Sequence, residues 1–211
     1  RTGSWVAGGH QNRFETVNAN NLAATLRLDY GDVKQNRGVG VSFYVSDTSD
    51  NRNNFGKISE SGEVKIIALH GAYDFGNFLI RGQYIRGELS DTDAITNANK
   101  TVPGLNAGAF TQLGSQAESW FVEAGLNVSE YLSIANPLHL FASIDYSNPL
   151  AETETTLASS RYELTETSLG LNYQPIPQVI LKSQFSITKS AQSYIPNAQA
   201  FSLSAGYYFS L

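Results

Sequence analysis

Histidine is the residue type most often recruited for catalysis, and this chain has three: His10, His70 and His139. They are far apart in sequence, form no His-x-x-x-His pair, and have no Cys to act with, since the chain contains none. Zinc sites and disulfide frameworks need such spacings, so neither is expected. A Ser–His–Asp site is defined by geometry and not by chain order. The one local pairing, His139 with Asp145, would sit roughly 20 Å apart along a single strand face. The glycines between Gly104 and Gly114 lack the strand–loop–helix setting of a phosphate cradle. We therefore expect no enzyme, no metal and no cofactor. A different chemistry is suggested by Arg27, Asp29, Arg81, Glu123, Asp145, Glu166 and Lys182, each of which alternates with oily neighbours. On strands these seven would share one face. They could line a water-filled pore, where charges on facing walls set ion preference. They could also pair with one another and stiffen a closed barrel.

The elements that would position them show a period of two. At the C-terminus Phe201, Leu203, Ala205, Tyr207, Phe209 and Leu211 alternate with Ser202, Ser204, Gly206, Tyr208 and Ser210. Successive strand side chains point to opposite faces, so one face is apolar and the other small and polar. The pattern recurs around Leu22–Tyr30, Gly38–Val45, Lys65–Tyr73, Phe78–Ile85, Trp120–Val128, Leu138–Tyr146, Glu166–Tyr173 and Val179–Ile187, with a shorter candidate at Ser4–His10. That makes about ten strands, most long enough to cross a bilayer at a tilt. Helices drawn over Ala117–Val128 or Ser159–Leu169 fit less well, because neither carries a stripe of period 3.6. Arg86 and Lys65 fall on the oily register near strand ends. A β-bulge turning Arg86 inward is preferred slightly over snorkelling toward acidic lipopolysaccharide groups.

Net charge is −5, which argues against a nucleic-acid partner. No apolar run approaches the roughly 20 residues of a membrane helix, a test that strands evade by alternation. Arg1 opens the chain with no n-region or h-region, so either a signal peptide has been removed or an N-terminal part lies upstream. Connections alternate in length: short at Gly31–Arg37, Asp74–Asn77 and Gln174–Pro177, long and polar near 47–62, 89–116 and 148–161. Short turns at one end and long loops at the other are the outer-membrane barrel pattern. The loop at 89–116 could fold into a lumen or stay outside as a contact surface. Aromatic residues on the oily register form two bands: Tyr30, Tyr73, Phe75, Tyr173 and Phe209 toward the short turns, and Phe43, Tyr84, Trp120, Tyr146, Phe185 and Phe201 toward the long loops. Amphipathic rings gather in this way at both membrane interfaces.

The segments NLAATLRLDYG, GVGVSFYVSD, GAYDFGNFLIRGQYIRGEL, AESWFVEAGL, ETSLGLNYQPIPQVILKSQF and FSLSAGYYFSL resemble strands of the Gram-negative porins, in particular the phosphate-selective porin superfamily. The resemblance implies an antiparallel transmembrane β-barrel of roughly 16–18 strands, of which this chain would be the C-terminal portion. It implies passive diffusion of small polar solutes or ions, contact with outer-membrane lipid and lipopolysaccharide, a possible homotrimer, and residence in the bacterial cell outer membrane. Two departures stand out. The chain runs past Phe209 to Leu211, and its inward charges are mixed where a phosphate ladder would be basic. The whole of 1–211 is read as one barrel region. The alternatives are a non-conducting barrel acting as anchor, adhesin or complex partner, and a soluble β-sandwich or propeller, which would have shorter strands and more even loops.

Overall fold

A computed structural model describes residues 22–48, 60–101, 112–155 and 157–209. These residues form one antiparallel sheet of nine strands in chain order: β1 (Ala24–Asp32), β2 (Arg37–Asp47), β3 (Glu63–Asp74), β4 (Phe78–Leu89), β5 (Gln116–Asn127), β6 (Leu138–Glu152), β7 (Leu164–Ile176), β8 (Val179–Ser190) and β9 (Ala198–Tyr207). Each strand pairs only with its neighbours in sequence. The sheet is not closed: β1 and β9 are its two edges, and both are exposed along their whole length. The candidate strand at Ser4–His10 and the terminal Leu211 lie outside the described residues.

Alternation set the strands correctly and their ends only approximately. β6 runs on to Glu152, and β7 continues through Pro175 to Ile176, where a turn had been expected. Pro175 cannot donate to a ladder, and it lies where the β7–β8 register shifts between Tyr173 and Ile176. Residues 117–127 are strand, as the period implies. At one end of the sheet the connections are four, three, ten and two residues; at the other they are 15, 26, 11 and seven. The tight β3–β4 turn has Gly76 at φ 93°, a conformation that favours glycine, with Asp74 Oδ1 accepting from its N–H at 2.7 Å.

One element was not legible. The 26-residue connection contains a helix, α1 (Thr92–Thr101), where a structureless loop was expected. Its residues are mostly Thr, Asn and Ala, and tertiary contacts hold it. Ile95 is buried, and so are Val64 and Leu89, which face each other across β3 and β4 on the polar side of the sheet. A Cβ on Gly62 would lie 2.9 Å from Leu89 Cδ1 and 3.0 Å from Ile95 Cδ1, so the helix packs directly onto that rim. The helix therefore leans over the polar face at that rim. Glu154, from the β6–β7 connection, accepts from the N–H groups of Thr92 (3.1 Å) and Asp93 (3.0 Å), and so satisfies two free donors of the first turn.

Candidate functional site

The ladders carry each of the seven charged residues to the same face. One row of register partners runs Asp29, Gly40, His70, Gln83, Phe121, Asp145, Glu166 and Thr188 across eight strands. Arg27, Arg81, Glu123 and Lys182 lie on the same side one or more rows away. The other side presents Leu28, Val41, Leu69, Tyr84, Trp120 and Tyr146 in a single row.

Exposure is inverted relative to an ordinary soluble sheet. On the oily side Ile144 is 46% exposed and Leu169 62%, while on the polar side Ser168 is 1% exposed and Ser186 8%. Side chains converge on the polar face and splay on the apolar one, as they must when a sheet curls around its polar side. Asp29 and His70 make the same point. Their strands are separated by β2, yet His70 Nε2 lies 3.2 Å from Asp29 Oδ1. They meet over Gly40, where a Cβ would overlap Asp29 Oδ1 and lie 2.5 Å from His70 Nε2.

The charges on this face are not evenly paired. Arg27 Nε donates to Asp29 at 2.8 Å, and its Nη2 lies 2.9 Å from His70 Nε2. Arg81 grips its cross-strand neighbour Glu123 with two bonds, Nε to Oε1 at 2.8 Å and Nη2 to Oε2 at 3.0 Å, the bidentate geometry that Arg favours. Asp145 and Glu166 are direct cross-strand neighbours of like charge. Their bonds come from hydroxyls: Ser143 Oγ to Asp145 at 2.9 Å and Thr188 Oγ1 to Glu166 at 2.8 Å. Ion-paired charges and charges held only by hydroxyls thus both occur on this face, in different strands. His139 is on this face too, three rows from Asp145; no group of three metal-ligating side chains occurs among the described residues.

The apolar face has boundaries, and they run obliquely. On β1 the ring toward the short turns is Tyr30, whose register partner on β9, traced through eight ladders, is Gln199. The ring on β9 is Tyr207, eight residues further. Tyr73 and Tyr173 fall between. Toward the long loops, Tyr84, Trp120 and Tyr146 share one row, and Trp120 stacks on Tyr146 with ring centres 5.7 Å apart. Phe43 on β2 is two residues above that row, and Phe185 on β8 four below it. A polar boundary follows the same line from Lys65 on β3 to Gln199 on β9, displaced six residues over six strands. From end to end each boundary drifts by one residue per strand on average, although the rings of β4–β6 share a row. With about 3.3 Å of rise per residue and 4.8 Å between strands, a straight cut across the sheet would cross strands tilted by roughly 35°. Phe75 and Phe209 lie just beyond strand ends, with Phe209 4.6 Å from the Tyr207 ring.

Arg86 corrects an expectation. The β3–β4 and β4–β5 ladders are unbroken through it, so no bulge turns it inward. It stays on the outward register and bonds Glu88 at 2.9 Å, and Lys65 is held there by Glu63. Arg86 lies two residues beyond Tyr84, outside the edge of the apolar band on β4, so its charge needs no bulge. The Glu154 clamp was also missed; a lone acidic residue in a polar loop gives no periodic signal. No family model, curated protein or solved structure matches this chain.

Proposed function

We propose that this chain forms the wall of a β-barrel in a bacterial outer membrane and serves passive passage of small polar solutes or ions along its polar face. The observation that carries the reading is the bounded apolar face: oily, exposed, and framed by two aromatic belts and a charged margin that drift together by one residue per strand on average. The implied tilt agrees with the 35–45° that closed barrels require. A soluble sheet has no reason to keep three boundaries parallel. Direct pairing of β1 with β9 would be parallel, since both run the same way, and outer-membrane barrels are built with even strand numbers. At least one further strand is therefore needed, and Ser4–His10 is a candidate. The phosphate-selective porin resemblance is consistent with this reading but with mixed, partly self-neutralised charges rather than an anion ladder.

Conductance tests the proposal. The intact protein reconstituted into a planar bilayer should give discrete, salt-dependent steps. Insertion without any current above background would favour the second reading, a non-conducting anchor, which the inward lean of α1 over the rim gives some basis. Failure to partition into detergent would overturn both.

A further inference from the structure

On the polar face two neighbours make opposite demands on one atom. His70 Nε2 lies 2.9 Å from Arg27 Nη2 and 3.2 Å from Asp29 Oδ1. A guanidinium can only donate, and an ionised carboxylate can only accept. The ring nitrogen accepts from Arg27 when it is bare, or donates to Asp29 when it carries a proton, but it cannot do both. Arg27 is also tied to Asp29 by its other edge, with Nε 2.8 Å from Oδ2 and 3.1 Å from Oδ1. That bond does not depend on the state of the ring.

The surroundings leave the choice to these three side chains. Gly40 of β2 lies beneath the contact and adds no side chain to it. On this face Gly38 and Ser42 flank Gly40 along β2, and Ala68 and Ala72 flank His70 along β3. On β4 Gln83 stands directly across from His70, with Ile85 and Arg81 on the diagonals. Arg81 is already bound by Glu123. The Arg27 side chain is 55% exposed and that of His70 18%, so the guanidinium has more room to move than the ring. When the ring takes a proton from water, its new Nε2–H points at the carboxylate and also meets the Arg27 donor. Two donors and two positive charges then face each other across the distance of a hydrogen bond, and Nη2 must turn away.

We infer that His70 is a proton-driven switch for Arg27: bare Nε2 holds the guanidinium edge at the wall, and protonated Nε2 takes Asp29 and releases that edge toward the space the polar face encloses. Imidazole suits the task because its charge changes between about pH 5 and 8. The effect on ions rests on the lumen reading proposed above. Acidification adds one positive charge to this part of the wall, which should lower cation preference about twofold.

Nitrogen-15 NMR of the intact protein in detergent micelles reads the ring directly, with the His70 signals identified by their loss in His70→Gln. The neutral wild-type ring should carry its proton on Nδ1, and Arg27→Ala should move that proton to Nε2, where Asp29 alone remains. As the wild-type ring takes up its second proton, the Arg27 Nη signals should shift with the same midpoint. A neutral ring protonated on Nε2, or Arg27 signals that do not follow the ring, overturns the switch; both are read on the wild type, so the answer stands even if Arg27→Ala does not fold. In a planar bilayer the potassium-over-chloride preference should fall about twofold across that midpoint in the wild type and stay level in His70→Gln. A level preference in the wild type overturns the effect on ions. A bare Nε2 in a protein that passes no current sinks the conducting reading and leaves the switch, whereas the other tautomer in a conducting protein does the reverse.

Discussion

Ile144 and Asp145 are adjacent in β6 and live on opposite sides of one sheet. Ile144 is exposed among other exposed apolar groups, and Asp145 lies half-covered among hydroxyls and carboxylates. In a soluble sandwich the oily side would be pressed against a second layer and the polar side would meet bulk water. Here the described residues supply no second layer for the oily side, and the few deeply buried apolar groups lie at the ends of the sheet, with Val64, Leu89 and Ile95 where α1 packs and Val128 at the opposite end. The comparison teaches that burial in the isolated sheet does not track hydrophobicity, and the proposed barrel accounts for this by giving each side a different solvent. An apolar face this wide is stable against hydrocarbon and costly against water.

The largest expected effect comes from moving a charge between those two environments. Val122→Lys would put an ammonium in the middle of the apolar band and should destabilise the protein in lipid by about 2–4 kcal/mol. Ser143→Lys, on the other face and directly opposite Glu123, should stay within about 0.5 kcal/mol. Reversible urea titration in lipid vesicles reads both. Equal, small effects would mean that both faces see water, and the membrane reading would be lost. Next in size is Gly40→Ala. The added methyl would collide with the Asp29–His70 contact and should cost about 1–3 kcal/mol. Adding His70→Ala should recover part of that loss, which separates a broken bridge from a generally intolerant strand.

The rim offers a smaller effect and shows how far the sequence could be read. Glu154→Ala removes two charge-assisted bonds to the start of α1 and should cost about 0.5–2 kcal/mol. It should be visible as faster hydrogen exchange at Thr92 and Asp93 with the strands unchanged; unchanged exchange at those two amides would show that Glu154 does not hold the helix. This clamp was invisible from sequence, as was the helix, because Thr92–Thr101 has weak intrinsic propensity and forms on contacts 61 and 62 residues away. The strands were legible for the opposite reason. From Leu26 to Tyr207 their alternation repeats in every ladder, and the face of each of the seven charged residues follows from parity alone. Parity could not say that Arg81 would bind Glu123 while Asp145 sits beside Glu166. That depends on register across 42 residues in one case and on a connection of 11 residues in the other.

Within the polar face a second contrast can be sharpened, between the neutralised charges of β4–β5 and the like-charged pair of β6–β7. If the lumen conducts, Asp145 and Glu166 supply a net negative potential there, while Arg81 and Glu123 cancel. At about 8 Å in water each uncompensated charge is worth roughly 0.5 kcal/mol to a passing ion, or about a factor of two in permeability ratio. Asp145→Asn/Glu166→Gln should therefore lower cation preference by about two- to fourfold, read as the zero-current potential across a potassium chloride gradient. Arg81→Gln/Glu123→Gln removes one charge of each sign and should leave that potential in place. Raising the salt to 1 M shortens the screening length to about 3 Å and should erase the difference between the two double variants. Equal shifts at low salt would mean that ions pass nowhere near β6–β7, and the acidic pair would then have only a structural part in the wall.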